Sequence, residues 1–356
     1  MSRSVATGRS AGFNPPNRFE RLHVEKPPDD LTQYFEDPDP DRKILTQFYL
    51  DHTKSILAKN DSPDLGFTYS INPYRGCEHG CIYCYARPSH EYLGFSSGLD
   101  FETKILVKQN AAALLEEQFQ NRAWKPQVIV FSGNTDCYRP IERALGLTRK
   151  CLQVFLKYRN PVSIITKNAL VQRDADILQE LASLNMVLVV ITVTTLDSGL
   201  VRKMEPRTST PAKRLETIEM LASKGIPVGV NIAPIIPGLN DVEIPAILRE
   251  ISDCGARYAN YSIFRLPNSV EALFLEWLGR ELPAQAPRIL KRIRDIRDGK
   301  LSDSTFGKRM TGEGQLAHAI EQLFEVNRRK FGLSQKSLML SVEHFLKRVT
   351  GQPSLF

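Results

Sequence analysis

Residues 69–87, YSINPYRGCEHGCIYCYAR, carry three of the six cysteines, Cys77, Cys81 and Cys84, at the spacing C-x3-C-x2-C. A loop this short can bring three thiolates to one metal centre. Thiolates are soft ligands that favour zinc, Cu(I) or an iron–sulfur cluster. A structural zinc site takes four protein ligands. No fourth cysteine lies nearby, so the spacing favours a cluster with one iron left open. A Cys3His zinc site completed by His79 or His90 stays open on spacing alone.

Outward from this loop the chain alternates strand and helix patterns. Residues 67–72, 127–131, 162–166, 187–193, 227–233 and 258–264 read as six strands. Residues 103–120, 141–158, 173–184, 211–224 and 243–254 read as helices between them. Short apolar strands alternating with such helices imply βαβ units and a parallel sheet buried on both faces. The pattern fits a partial (β/α)6 barrel or an open doubly wound sheet. No G-x-G-x-x-G follows the first strand, which weakens the dinucleotide-binding version of the open sheet.

Three regions follow. Residues 1–60 are an irregular N-terminal segment rich in Pro, Asp, Arg and Ser, and its start reads as a disordered tail. Residues 61–267 form the core. Residues 268–356 form a helical, basic extension, with helices expected from Pro287, over 315–328 and over 338–348. Residues 287–356 hold 14 Lys and Arg against 7 Asp and Glu, which accounts for the whole net charge of +7. Arg288, Lys291 and Arg292 share one face, and Arg328, Arg329 and Lys330 close the next helix. If these patches converge, they form a phosphate-binding rim, so a nucleic-acid partner is an expectation. No apolar run approaches the ~20 residues of a membrane span. The start of the chain has no apolar signal core, and the clustered cysteines suit a reducing compartment. The expectation is a cytoplasmic protein with no membrane partner.

The motif Cys77-x3-Cys81-Ile82-Tyr83-Cys84 resembles the signature of the radical S-adenosylmethionine (SAM) superfamily. The longer string NPYRGCEHGCIYCYARPSHEYLG resembles the spore photoproduct lyase-like branch. The resemblance implies an α/β fold, the partial (β/α)6 TIM-like barrel of the radical SAM type. It implies a [4Fe–4S] cluster on Cys77, Cys81 and Cys84, with SAM chelated at the open iron. The implied activity is reductive cleavage of SAM to a 5′-deoxyadenosyl radical, then hydrogen abstraction from an unidentified substrate. The electron would come from an external donor of the flavodoxin or ferredoxin type.

In parallel α/β folds ligands bind at the carboxyl ends of strands. The segment Ser132-Gly133-Asn134 then falls where the family sets backbone against the methionyl amino group of SAM. Lys167 would meet the SAM carboxylate, and Tyr83 would pack against adenine. Thr192 and Thr194, on one strand face, would hydrogen-bond SAM. Asn231 belongs to the adenosine side. In this branch a cysteine just after the second strand donates a hydrogen atom. Cys137 is the candidate here, although it is offset from that motif position. Two rival classes are a zinc-binding nucleic-acid module and a cluster-bearing SAM-binding protein without turnover.

Overall fold

The computed structural model describes residues 8–19, 44–336 and 338–347. Its main sheet has seven strands in the order β10-β9-β8-β7-β6-β3-β2. Here β2 is Leu57–Lys59, β3 Tyr69–Ile71, β6 Ile129–Phe131, β7 Val162–Thr166, β8 Val187–Thr192, β9 Val228–Ile235 and β10 Tyr258–Ile263. Six of them, β3 and β6 to β10, run parallel, each beside the next in sequence among the six. The antiparallel β2 closes one edge. This is the partial barrel, and all six expected strands are in it.

Strand composition explains the burial. IVF, VSIIT and VLVVIT are β-branched runs with no polar face to offer solvent, as strands covered on both sides require. The helices lay single apolar stripes against them. Leu147–Tyr158 buries Leu147, Cys151, Leu152, Val154, Phe155 and Tyr158. The starts of helices Ser198–Met204 and Pro211–Ser223 carry side-chain caps. Asp197 accepts from the amides of Gly199 and Leu200, at 2.7 and 3.2 Å, and Thr210 precedes Pro211 at the first helical position.

The structure differs from the sequence pattern in four places. The expected helix 103–120 is a short helix Leu99–Thr103, a strand β5 Lys104–Val107 and a helix Ala111–Gln120. The strand joins β1, Gln47–Leu50, and β4, Tyr74–Arg75, in a separate three-stranded sheet. KILV alternates buried and half-buried positions, a period-two signal too short to outweigh the helix formers beyond it. The expected helix 141–158 breaks at Gly146, which sits in the left-handed region. Residues 338–347 form no helix, and Arg348 lies outside the described residues. Finally, residues 8–19 have no regular structure, yet Arg9, Ser10, Ala11 and Asn17 are buried. This strap is held by Glu102 and Glu91 of the core, so its described part is not a loose tail.

The C-terminal helices build a second core behind the cysteine loop. Phe274, Trp277 and Leu278 of helix Val270–Glu281 join Ile289 and Ile293 of helix Ala286–Asp295. They pack with Ile82, Tyr83 and Met204.

Candidate functional site at the carboxyl end of the barrel

The cysteine loop leaves β3, turns through β4 and returns across the sheet's carboxyl end. Its path is set by backbone bonds: Cys77 N–H donates to Phe101 O at 2.8 Å, and Ile82 N–H to Met204 O at 3.0 Å. Beneath it lies a fully buried pair, Arg87 with Glu102 at 2.5 Å. Arg87 also donates from Nε to Cys81 O at 2.9 Å. Gly80 has φ +65°, and a Cβ there would stand 2.8 Å from the Glu102 carboxylate. A side chain would therefore meet both dihedral strain and the charged support of the loop.

All three motif cysteines line one cavity of about 280 Å³. Its other walls are residues at the ends of β6, β7, β8, β9 and β10: Ser132–Asp136, Lys167, Thr192, Asn231 and Arg265. Of the residues singled out in the sequence, Cys77, Cys81, Cys84, Tyr83, Ser132, Gly133, Asn134, Lys167, Thr192 and Asn231 share this cavity. Two do not. Thr194 is buried behind Tyr83, donating to Glu205 at 2.6 Å. Cys137 is enclosed in the barrel core, its amide bound to Ser132 Oγ at 2.9 Å and its carbonyl to Thr148 Oγ1 at 2.8 Å. The chain turns at Ser132, so five residues later the thiol points into packing instead of the cavity.

The turn after β6 is tightly constrained. Ser132 carries the positive φ, 76°, a sparsely populated state that clusters at functional sites. Gly133 is needed for close approach. A Cβ there would lie 2.5 Å from Ser70 Cβ and 2.6 Å from its Oγ. The Asn72 side chain accepts from the amides of Asn134 and Thr135, at 3.3 and 3.1 Å, and Gly133 O accepts from the Tyr85 hydroxyl at 2.9 Å.

Behind Tyr83 a charged knot fixes the loop to the barrel. Glu205 accepts from the Tyr83 hydroxyl, from Thr194 and from Arg214. Arg214 also donates to Thr192 O and Ser209 O, each at 2.9 Å. Both charged side chains are almost wholly buried, at 1% and 0% exposed. The fold brings the two residues together as an ion pair bracing the site.

The cavity is electropositive on one side. His79 Nδ1 lies 3.4 Å from Asp136, and its Nε2 is 3.1 Å from Asn168 Nδ2. Burial would lower His79, but Asp136 and the Cys77 thiol outweigh it and lift it to about 9. Asp136 is in turn held well below the carboxylate range: burial opposes this, and His79 and backbone amides prevail. Burial alone would raise Cys77, yet Arg139 and His79 pull it below its ordinary value. Cys81 and Cys84 are pushed up, first by burial and then by neighbouring negative charge. Burial lowers Lys167, whose ammonium stands 5.8 Å from the Tyr83 ring centroid. Three thiols inside a ring of cations suit metal coordination, which removes the thiol proton outright. His79 is engaged by Asp136 and Asn168, and His90 is not among the cavity walls. Among the described residues no three His, Cys, Asp or Glu side chains converge as a single-ion site requires.

Several cations of the basic extension are paired within the chain. Arg288 donates to Gly238 O at 3.1 Å, and Arg292 pairs with Asp241 at 3.3 Å, so both brace the loop after β9. Lys291 pairs with Asp295, Arg328 and Arg329 with Glu325, and Lys308 with Glu313.

The fold and site together define a class: a parallel partial barrel whose carboxyl-end cavity is closed by a three-cysteine loop. The family model described as Radical SAM superfamily matches residues 71–251, and the chain belongs to that superfamily. Among its relatives is "Uncharacterized protein Rv2578c" of Mycobacterium tuberculosis, 34% identical over 246 residues, covering 68% of this chain and 71% of the relative. "Uncharacterized protein MJ0683" of Methanocaldococcus jannaschii is 34% identical over 178 residues, 50% of this chain and 64% of the relative. Spore photoproduct lyase with bound AdoMet and dinucleoside spore photoproduct has a similar fold. Its TM-score is 0.56 at 16% identity, covering 82% of each chain. No described helix is long and apolar enough to cross a membrane.

Proposed function

We propose that this chain is a radical SAM enzyme that cleaves SAM reductively and abstracts hydrogen from a substrate bound in the same cavity. One observation carries the reading: three thiols on one loop face a cavity whose opposite wall is made of strand-end polar groups. A [4Fe–4S] cluster, when bound, would supply one electron to break the S–C5′ bond of SAM, giving methionine and a 5′-deoxyadenosyl radical. The chain's own residues do the positioning. Cys77, Cys81 and Cys84 would hold the cluster. The constrained backbone of Ser132–Asn134 would receive the methionyl amino group, and Lys167 the carboxylate. Tyr83, Thr192 and Asn231 would flank the adenosine. Thr194 would act behind them, through Glu205. The buried walls would keep water from the radical.

The fold-mate is a spore photoproduct lyase with a dinucleoside bound, which supports testing nucleic acid first. In the basic extension Arg288 and Arg292 brace the loop after β9, while Lys291 and Arg329 stay exposed. We place the enzyme in the cytoplasm with a flavodoxin- or ferredoxin-type donor.

The test is anaerobic reconstitution followed by reduction with dithionite in the presence of SAM. About four irons per chain should load, and 5′-deoxyadenosine should form. Cys77→Ala, Cys81→Ala and Cys84→Ala should each lose the iron, while Cys151→Ala and Cys254→Ala should keep it. Iron retained in all three motif variants, or a colourless zinc-loaded chain, overturns the reading. Cluster and SAM binding without 5′-deoxyadenosine would leave only a binding protein.

A further inference from the structure

Two cations on the cavity wall have no hydrogen bond or ion pair for their charged groups among the described residues: Lys167 and Arg265. Lys167 follows β7 and sits by Tyr83, Cys81 and Cys84. Arg265 follows β10, three strands away in the sheet. Its guanidinium lies 5.2 Å from the centroid of the Tyr85 ring, a side chain that remains 48% exposed. Phe67, Leu65 and Met310 share this outer part of the cavity wall.

Every other guanidinium around Arg265 is committed. Arg309 binds Asp64 and Ser62. Arg297 binds Phe264 O, Lys308 O and Arg309 O, at 2.7, 3.0 and 2.8 Å. Asp64, the nearby carboxylate, is also taken by Gly307 N–H at 2.7 Å. The two residues before Arg265 are tied down by their backbone: Phe264 N–H donates to Ile235 O at 2.9 Å and Ile263 N–H to Met310 O at 2.8 Å. A half-buried guanidinium without a counter-charge is costly. Burial, and then Arg309, already work against its charge. A guanidinium fork over an aromatic ring and facing a cavity suits gripping carboxylate or phosphate with two parallel bonds.

We propose that Arg265 is the substrate-docking residue of this cavity and that the substrate carries an oxyanion, carboxylate or phosphate, which it binds with the guanidinium stacked on Tyr85. This rests on the reading that Lys167 and the inner wall take SAM. SAM has one carboxylate, which would meet Lys167 across the sheet from Arg265. The second cation is then left for the other reactant.

Arginine labelling by phenylglyoxal, mapped by peptide mass spectrometry, tests this on the full cluster-loaded chain. Arg265 should be labelled, and millimolar inorganic phosphate or acetate should slow its labelling severalfold while leaving exposed Arg122 unaffected. The stronger of the two protectants names the source of the oxyanion. SAM alone should leave Arg265 labelling unchanged. In parallel, Arg265→Gln should weaken phosphate or acetate binding by roughly tenfold or more and keep SAM affinity within about twofold. Labelling of Arg265 that neither anion slows, or that SAM alone suppresses, overturns the proposal. So does an Arg265→Gln chain that binds both anions as wild type does. If the chain proves not to hold a cluster, the protection pattern is still measurable on the unloaded chain, so the two failures are told apart.

Discussion

Glu205→Ala should be among the most damaging single changes in this chain, and the reason lies in what it strands. Glu205 is the only described carboxylate paired to Arg214, and both side chains are buried. It also accepts from the Tyr83 hydroxyl and from Thr194. Removing it leaves an uncompensated buried guanidinium, which costs about 3–5 kcal/mol. Unfolding entropy of about 2.1 cal/mol/K per residue gives about 0.75 kcal/mol/K for 356 residues, so the melting temperature should fall by about 4–7 °C. Differential scanning fluorimetry and urea unfolding would measure it. The double variant Glu205→Met, Arg214→Met removes both charges together. It should be more stable than the sum of the two single effects by about 1–3 kcal/mol. The same loss frees Tyr83, so Glu205→Ala should also weaken SAM binding. A melting temperature within 1 °C of wild type, or strict additivity in the double variant, would refute the reasoning.

Lys167→Ala should weaken SAM binding by roughly tenfold while iron content stays unchanged, because Lys167 acts on the ligand and not the metal. Equal SAM affinity by equilibrium dialysis would remove it from the site. Cys137→Ala should cleave SAM with an unaltered product distribution, since its thiol is enclosed in the core; diverted side products would restore the donor role. His90 is fully buried beside Phe95 and Phe101, and burial pushes it down to about 4. Its folded value lies below the unfolded one near 6.5. Its contribution is therefore intact above about pH 6.5 and is lost as pH falls toward 4, on the order of 3 kcal/mol. His90→Leu should flatten urea-unfolding stability across that window, and an unchanged slope would count against the assignment.

What could be read from the chain alone was whatever local pattern encodes. The six parallel strands announce themselves as β-branched runs spaced by amphipathic helices. The cysteine loop is legible because ligand spacing is a local property. The left-handed stop at Gly146 and the strand Lys104–Val107 were missed because each is a short signal beside stronger helix formers. The remaining differences depend on distance in sequence. Nothing near residues 8–19 says that Glu102, more than eighty residues away, will accept from their amides. Nothing in the tail says that Arg288 and Arg292 will turn to the loop at Gly238 and Asp241. Cys137 follows the right strand, but the positive φ at Ser132 turns its thiol into the core. Arg265 stands out for the opposite reason. Sequence alternation puts it on the barrel face if the odd positions of the sixth strand point inward, and tertiary packing pairs the arginines around it and leaves this one without a counter-charge among the described residues at the cavity wall.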